Sequence, residues 1–178
     1  IYRNSGVNGV IQEIRVIESD YVRSAYANYL VRVNQPAQNY PVIIKEVSAI
    51  MESDHYRSEF LTNNLKTFNS SKEAMQAVYA ATRDMDSDHY KTQVIKSALS
   101  TGNASLESVT LALQATTDME SDHYKTEVIT SLLRQDNLTD AVMAEMINAT
   151  KNMESDHYRT EVLTKALAKP GLSSASFQ

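Results

Sequence analysis

The chain has 178 residues, of which 42% are hydrophobic and 22% charged, and its formal net charge is −5. An acidic chain is a poor candidate for nucleic-acid binding, because proteins that bind phosphates usually carry a basic face. The absence of cysteine excludes disulfides, thiolate metal sites and cysteine nucleophiles. No apolar run approaches the roughly 20 residues of a membrane-spanning helix, so we expect no membrane insertion within this segment. With 4 Gly and 3 Pro, the composition favours long helices over a β fold.

One 34-residue period dominates the sequence. Four near copies of one segment begin with methionine and read MESDHYRSEFL, MDSDHYKTQVI, MESDHYKTEVI and MESDHYRTEVL, at Met51, Met85, Met119 and Met153. A fifth, diverged copy begins at Ile17, with Tyr21 and Val22 in place of His and Tyr. The spacing predicts five repeats, at about residues 1–34, 35–68, 69–102, 103–136 and 137–168.

The first helix of each repeat is predicted to run up to the residue that opens the motif. Prolines interrupt the pattern in repeat 2, so there the helix is expected to begin at about Pro41, where proline is tolerated. Later first helices are expected to begin near Ser71, Ser105 and Thr139, and Ser70 with Glu73 has the spacing of a capping box. Small side chains near the end of these helices are predicted packing positions: Ala81, Thr82, Ala115, Thr116, Ala149 and Thr150.

The second helix of each repeat is predicted to begin at the motif, where Ser121 or Asp122, for example, supplies a capping oxygen. One apolar face follows, formed in repeat 4 by Tyr124, Val128, Ile129, Leu132 and Leu133. We predict a core column of leucines at positions 65, 99, 133 and 167. Gly102 is placed to end the second helix of repeat 3.

These elements predict an all-α fold, a short α-α superhelix or solenoid of five helix-turn-helix repeats. A single helix pair cannot bury its apolar face alone, so the pairs are expected to stack. The prediction is a single α-solenoid domain over residues 1–168, followed by a flexible C-terminal tail over residues 169–178, which lacks periodicity.

The repeated Ser-Asp-His-Tyr block has a structural interpretation, in which Ser and Asp start the second helix, Tyr enters the seam between repeats, and Lys125 or Arg159 pairs with an acidic group of the adjoining repeat. Met is expected to fill the bend between the two helices. The residues given this role are Ser53, Asp54, Tyr56, Ser87, Asp88, Tyr90, Ser121, Asp122, Tyr124, Ser155, Asp156 and Tyr158.

A ligand-binding interpretation of the same block stays open. A ladder of carboxylates and imidazoles is a candidate surface for cations or a repetitive ligand such as a glycan, and the histidines are a candidate pH-sensitive strip. Its residues are Asp54, His55, Asp88, His89, Asp122, His123, Asp156 and His157. Adjacent helical residues point about 100° apart, which disfavours a shared metal ion, so no metal site is predicted.

Nothing in the sequence indicates catalysis. It has no nucleophile elbow, no phosphate-cradling glycine loop and no H-E-x-x-H motif. An enzyme is normally built around one asymmetric pocket, whereas here the same groups recur along the chain. We therefore expect neither an enzyme nor a cofactor.

The motif, read as [IM]-[ED]-S-D-H-Y-[KR]-[ST]-E-[VF]-[LI], resembles the HEAT-like α-solenoid helical repeats found in bacterial proteins, and the resemblance covers residues 17–167. The period is that of tetratricopeptide repeats, but their Trp, Leu-Gly and Pro signature is missing at matching positions. The resemblance implies a bacterial interaction module with a lean towards the cell envelope, and it transfers no catalytic residue.

The function predicted from the sequence is a non-catalytic protein-interaction or scaffolding module that binds a protein or peptide partner. Since the chain begins with Ile rather than Met, we expect it to be a fragment of a larger protein. First-helix positions such as Ala80, Arg83 and Gln114 share no theme, as expected of a binding surface. Two alternatives are a ligand- or metal-binding surface made by the Asp-His-Tyr ladder, and a regulatory or spacer arm of an upstream enzyme domain.

Overall fold

Ten α-helices and two short 3₁₀ helices form the part of the chain that this computed structural model describes, residues 2–33, 36–101, 105–135 and 138–169. The α-helices are α1 (Tyr2–Arg15), α2 (Asp20–Arg32), α3 (Tyr40–Ile50), α4 (Asp54–Phe68), α5 (Lys72–Arg83), α6 (Asp88–Ser100), α7 (Leu106–Ala115), α8 (Asp122–Leu133), α9 (Asp140–Ala149) and α10 (Asp156–Leu167). The 3₁₀ helices Ala37–Asn39 and Thr150–Asn152 precede α3 and follow α9. Within these residues there is no strand, and the predicted all-α class of helix-turn-helix repeats is confirmed.

The chain consists of two compact units, an N-terminal unit of residues 1–90 and a C-terminal unit of residues 91–178. In the N-terminal unit α3 packs against α5, α2 packs against α4, and α1 contacts both α2 and α3. In the C-terminal unit α7 packs against α9 and α8 against α10. First helices therefore pack on first helices and second helices on second helices, as in stacked helical hairpins.

The first helices of repeats 3 to 5 begin where the sequence predicts. The side-chain oxygens of Ser71, Ser105 and Thr139 accept hydrogen bonds from backbone amides three residues later, at 3.2, 3.1 and 3.3 Å. Helix α3 begins at Tyr40, and Pro41 lies in its first turn. Helix α1 contains a break at Gly6, whose φ of 59° and ψ of −157° are non-helical and suit a residue without Cβ.

Two local predictions are wrong. Ser70 and Glu73 do not form a capping box, because the cap is Ser71 and the Ser71 hydroxyl donates to the Glu73 carboxylate at 2.9 Å. The first helices of repeats 3 to 5 also end before the motif, at Arg83, Ala115 and Ala149, whereas α3 in repeat 2 runs to Ile50, next to Met51, as predicted. In α7 the Thr116 hydroxyl donates to the Leu113 carbonyl at 2.7 Å, a local bond that competes with helix continuation.

The core follows the repeat. The motif methionines are 1–3% exposed, and the column leucines Leu65, Leu99 and Leu133 are buried. The prediction that Leu167 lies in the core is wrong, since this side chain is 66% exposed. Its exposure follows from its place in the last helix, because no described helix follows α10 to cover it. Val128, Ile129 and Leu132 are buried as predicted.

Of the predicted small packing positions, five are buried and Ala149 is half-buried. The predicted helix end at Gly102 and nearly all of the predicted tail lie outside the described residues. Among the described helices, none is both long and apolar enough to cross a membrane.

Candidate functional site

The motif aspartate holds the turn between the first and second helices of the next repeat. The Asp20 Oδ2 atom accepts hydrogen bonds from the backbone amides of Glu52 at 2.9 Å and Ser53 at 2.7 Å. The same contact recurs where Asp54 accepts from Asp86 at 2.8 Å and Ser87 at 2.7 Å, and where Asp122 accepts from Ser155 at 2.7 Å. We call this contact the aspartate clamp.

A basic residue three positions after each clamp aspartate balances its charge. The other carboxylate oxygen, Oδ1, contacts Arg23 at 2.8 Å in repeat 1, Arg57 at 3.3 Å in repeat 2 and Lys125 at 3.3 Å in repeat 4. These six side chains are only 10–13% exposed. Pairing lowers the free-energy cost of burying both charges, and each aspartate therefore depends on its cation for burial.

The Arg57 guanidinium connects two turns as well as its aspartate. One of its terminal nitrogens donates to the Met51 carbonyl at 2.5 Å and the other to the Asp84 carbonyl at 2.9 Å. Met51 lies in the turn before α4 and Asp84 in the turn after α5. The cation is therefore part of the link between repeats 2 and 3.

The predicted serine caps are wrong. Ser19, Ser53, Ser121 and Ser155 occupy the N-cap positions of their helices with extended backbone, but their side chains make no capping hydrogen bond. The next residue, Asp, is the first residue of the helix, and where the clamp forms its carboxylate reaches forward to the following repeat. The prediction that Lys125 and Arg159 pair with an adjoining repeat is also wrong, since both contact the aspartate of their own motif.

The clamp keeps the Asp122 carboxylate ionised. Burial acts to raise the pKa of Asp122, but hydrogen bonds from the Ser155 amide and the Lys125 ammonium outweigh it. The pKa of this carboxyl therefore lies below its usual value, as expected for a carboxylate that accepts backbone hydrogen bonds.

The last repeat shows the motif without a clamp. Asp156 is 93% exposed, because no described turn follows α10 to donate to it. It still contacts Arg159 at 3.0 Å, and Arg159 donates to the Met153 carbonyl. Asp156 therefore keeps the aspartate–arginine pair that Asp54 also forms, but not the contact between repeats.

The motif histidines lie on the outside of the second helices. All four are exposed, and each ring lies edge-on to the tyrosine that follows it. His55 and His123 also contact the tyrosine of the next repeat, with ring centroids 5.8 and 5.9 Å apart for the pairs His55–Tyr90 and His123–Tyr158. In repeat 1, Tyr21 occupies the histidine position and packs against Tyr56, with the two ring centroids 6.2 Å apart.

The pairs Asp54–His55 and Asp122–His123 of the predicted ladder do not converge. The carboxylates of Asp54 and Asp122 turn towards backbone amides, whereas the imidazoles face outwards. A carboxylate that does reach a motif histidine is that of Glu127, 3.3 Å from His123 Nε2. Over the described ranges, no group of three or more His, Asp or Glu side chains is arranged to hold a metal ion.

A polar cleft of about 370 Å³ lies on the second helices of the C-terminal unit. His123, Tyr158 and Glu161 line it, together with Lys96, Glu127 and Lys165. Two ion pairs cross its surface, Lys96–Glu127 at 2.8 Å and Lys165–Glu161 at 2.6 Å. The Lys165 hydrogen bond holds the pKa of Glu161 below its usual value.

Two further clefts lie between first helices, and the sequence analysis did not predict them. The α3–α5 cleft of the N-terminal unit has a volume of about 540 Å³, and the α7–α9 cleft of the C-terminal unit about 170 Å³. They are lined by the same positions of the repeat, two periods apart: Lys45 and Leu113, Ser48 and Thr116, Arg57 and Lys125, Ala77 and Glu145, Ala80 and Asn148, Asp84 and Asn152. Aligning the first helices of alternate repeats would have revealed which of these positions vary.

Fold and site together define an all-α helical-repeat protein in which a carboxylate links successive repeats. No protein-family model matches the chain, and no curated protein or solved structure matches it.

The clamp predicts a difference between two chemically identical substitutions. Asp54→Ala leaves two backbone amides without their acceptor and removes the carboxylate that balances the charge of Arg57, so we expect the free energy of unfolding to fall by about 1–3 kcal/mol. Asp156→Ala removes the same charge from the same helix position without breaking a clamp, and we expect a much smaller loss. Urea unfolding of both variants measures the difference, and equal losses would contradict the role assigned to the clamp.

Proposed function

We propose that this chain is a non-catalytic protein-interaction or scaffolding module that binds a protein or peptide partner through its first helices. The support is that side chains shared between repeats hold the fold together, whereas side chains that vary between repeats are free to contact a partner. The shared motif residues Asp20, Asp54 and Asp122 link repeats, and the motif methionines fill the core. In repeat proteins, residues that differ between repeats form the binding surface.

The single observation that carries the proposal is the contrast between the two first-helix clefts. Some lining positions carry shared or similar residues, with Arg57 matched by Lys125 and Ser48 matched by Thr116. Other lining positions carry different residues, since Glu145 replaces Ala77. One frame therefore presents two surfaces of different size and charge, which suits recognition of a specific partner.

Catalysis has no comparable support. Enzymes usually bring a few polar groups together in one asymmetric pocket. Here the aspartates of repeats 1, 2 and 4 are engaged by backbone amides and cations, so their carboxylates are poorly placed to act as acids, bases or nucleophiles.

Site-specific photo-crosslinking tests the proposed surface. A photoreactive amino acid is placed at Ala80 or Gln114 on the first helices, or at Asn63 on a second helix as the control; all three positions are exposed. In extracts of the cells that produce the protein, we expect one distinct protein adduct from the first-helix positions and none from Asn63. Adducts formed from Asn63 alone, or from no position, would contradict the proposal.

A second candidate, a ligand- or metal-binding surface on the second helices, is favoured by the polar cleft around His123, Tyr158 and Glu161. The part of this candidate that needs free aspartates has less support, because the Asp122 carboxylate is already engaged in the clamp.

Calorimetric titration with Zn²⁺, Ni²⁺ and Ca²⁺ distinguishes the two candidates, using the chain and a variant with His55, His89, His123 and His157 all changed to Gln. The interaction module is expected to give no saturable heat. Saturable binding that the variant loses would establish the second candidate.

A further inference from the structure

The first and last repeats each carry one half of an aspartate clamp. In repeat 5 the Asp156 carboxylate is 93% exposed, and among the described residues it pairs with Arg159 but accepts no hydrogen bond from a turn amide. In repeat 1 the amides of Glu18 and Ser19 occupy the donor positions of the clamp, and no described residue accepts a hydrogen bond from either. Repeat 5 thus has an acceptor without donors, and repeat 1 has donors without an acceptor.

Both halves already have the geometry of a formed clamp. Ser19 has φ of −85° and ψ of 120°, against −86° and 118° for Ser53 and −82° and 116° for Ser155, which both donate to an aspartate. Asp156 pairs with the cation three residues later, and the clamped aspartates accept their amides while making the same pair. Neither half therefore has to rearrange before it meets the other, which lowers the cost of binding.

The face of α10 that contains Asp156 is uncovered. Three further residues of this face are exposed, although their equivalents in α8 are only 4–8% exposed; they are Thr160, Thr164 and Leu167, and the equivalents are Thr126, Thr130 and Leu133. Asp156, Thr160 and Thr164 line an open depression of about 530 Å³. Since α8 packs against α10 and no described helix follows α10, this is the face on which another second helix would pack.

Helix α2 presents the opposite face of a second helix. Tyr26 is 53% exposed, whereas the equivalent side chains of all four later repeats are fully buried; they are Phe60, Val94, Val128 and Val162. Repeat 1 differs from them in having no described repeat before it. The outer faces of terminal repeats are usually polar. Here the outermost second helices expose Tyr26 and Leu167, so each end has an apolar surface that a neighbour would cover.

We propose that the chain binds a second copy of itself, with α10 of one copy packed against α2 of the other. In this contact Asp156 accepts hydrogen bonds from the Glu18 and Ser19 amides of the second copy, as Asp54 does from the turn one repeat later. A second copy is the occupant that the structure favours, because this chain contains both halves of the clamp and its own repeats show that such halves fit. The inference goes beyond the proposed function, since it does not use the first-helix surface.

The contact joins two unlike surfaces, so it is heterologous. Each copy in a pair keeps one half of a clamp free, and further copies can add to it. We call Asp156 with the exposed face of α10 the acceptor end, and the Glu18–Ser19 turn with Tyr26 the donor end. Blocking one end of a copy should therefore leave its other end able to bind.

Sedimentation velocity tests the association over chain concentrations from about 10 µM to about 1 mM, a range that covers weak protein–protein contacts. We expect the weight-average mass to rise with concentration above that of one chain. The mass of a single chain at every concentration would overturn the proposal. Such a result would leave the interaction module standing, because the crosslinking test addresses a different surface.

Two variants that block opposite ends test the geometry of the contact. Asp156→Lys blocks the acceptor end and Tyr26→Arg the donor end, and each should weaken self-association at least about tenfold, as expected when one partner of a buried charged contact is lost. Mixed in equal amounts, the two variants should form one-to-one heterodimers, because each supplies the end that the other lacks. Glu59→Lys, the same charge change at an exposed position of α4, is the matched control and should associate like the unmodified chain.

Three results of the mixing experiment would overturn the proposal. Loss of association in only one of the two end variants would indicate a contact between like faces. The absence of heterodimers in the mixture, or an equal loss in Glu59→Lys, would show that the two ends do not bind each other. Circular dichroism of each variant checks that its helices are intact, as expected for substitutions at exposed positions.

The Ser19 amide reports on the clamp between copies. Its hydrogen exchange should slow as the chain concentration rises, while remaining faster than that of Ser53, because the contact between copies opens by dissociation. Asp156→Lys should remove this concentration dependence. Exchange at Ser19 that does not change while the mass rises would show that the copies meet through other surfaces, and would overturn the proposal.

Discussion

The hydrogen bonds from the turn amides of one repeat to the aspartate of the preceding repeat are the interaction on which the rest of the structure depends. Each carboxylate accepts bonds of 2.7–2.9 Å from residues 32 or 33 positions later in the chain. Such charge-assisted bonds are stronger than neutral ones. They also provide partners for amides that a helix N-terminus leaves unsatisfied, so one side chain sets the spacing of two repeats.

The spacing of the motif follows from this contact. The cation must lie on the same face of the second helix as the aspartate, and a separation of three residues achieves this in repeats 1, 2 and 4. The methionine that opens the motif is buried in the turn before the second helix. Since these residues hold the repeats together, the exposed positions of the first helices are free to differ, and the two first-helix clefts differ in size and charge accordingly.

Much of the fold follows from the sequence because it depends on local signals. The 34-residue period is visible in the sequence itself. The capping residues Ser71, Ser105 and Thr139 and the apolar spacing in α8 act within a few residues. The clamp does not, because it joins residues a full repeat apart, and the Ser-Asp pair is equally typical of an ordinary helix cap. The clefts depend on how neighbouring first helices are placed, which periodicity does not specify. The exposure of Leu167 likewise depends on what covers α10, and not on its own sequence.

Amide hydrogen exchange followed by NMR tests the clamp most directly. The Ser53, Ser87 and Ser155 amides each donate to an aspartate of the preceding repeat, whereas Ser19 occupies the same motif position with no upstream aspartate among the described residues. The account predicts that these three amides exchange more slowly than that of Ser19, and that Asp54→Ala accelerates exchange at Ser87 while leaving Ser53 protected. Exchange at Ser87 as fast as at Ser19 in the unmodified chain would contradict it.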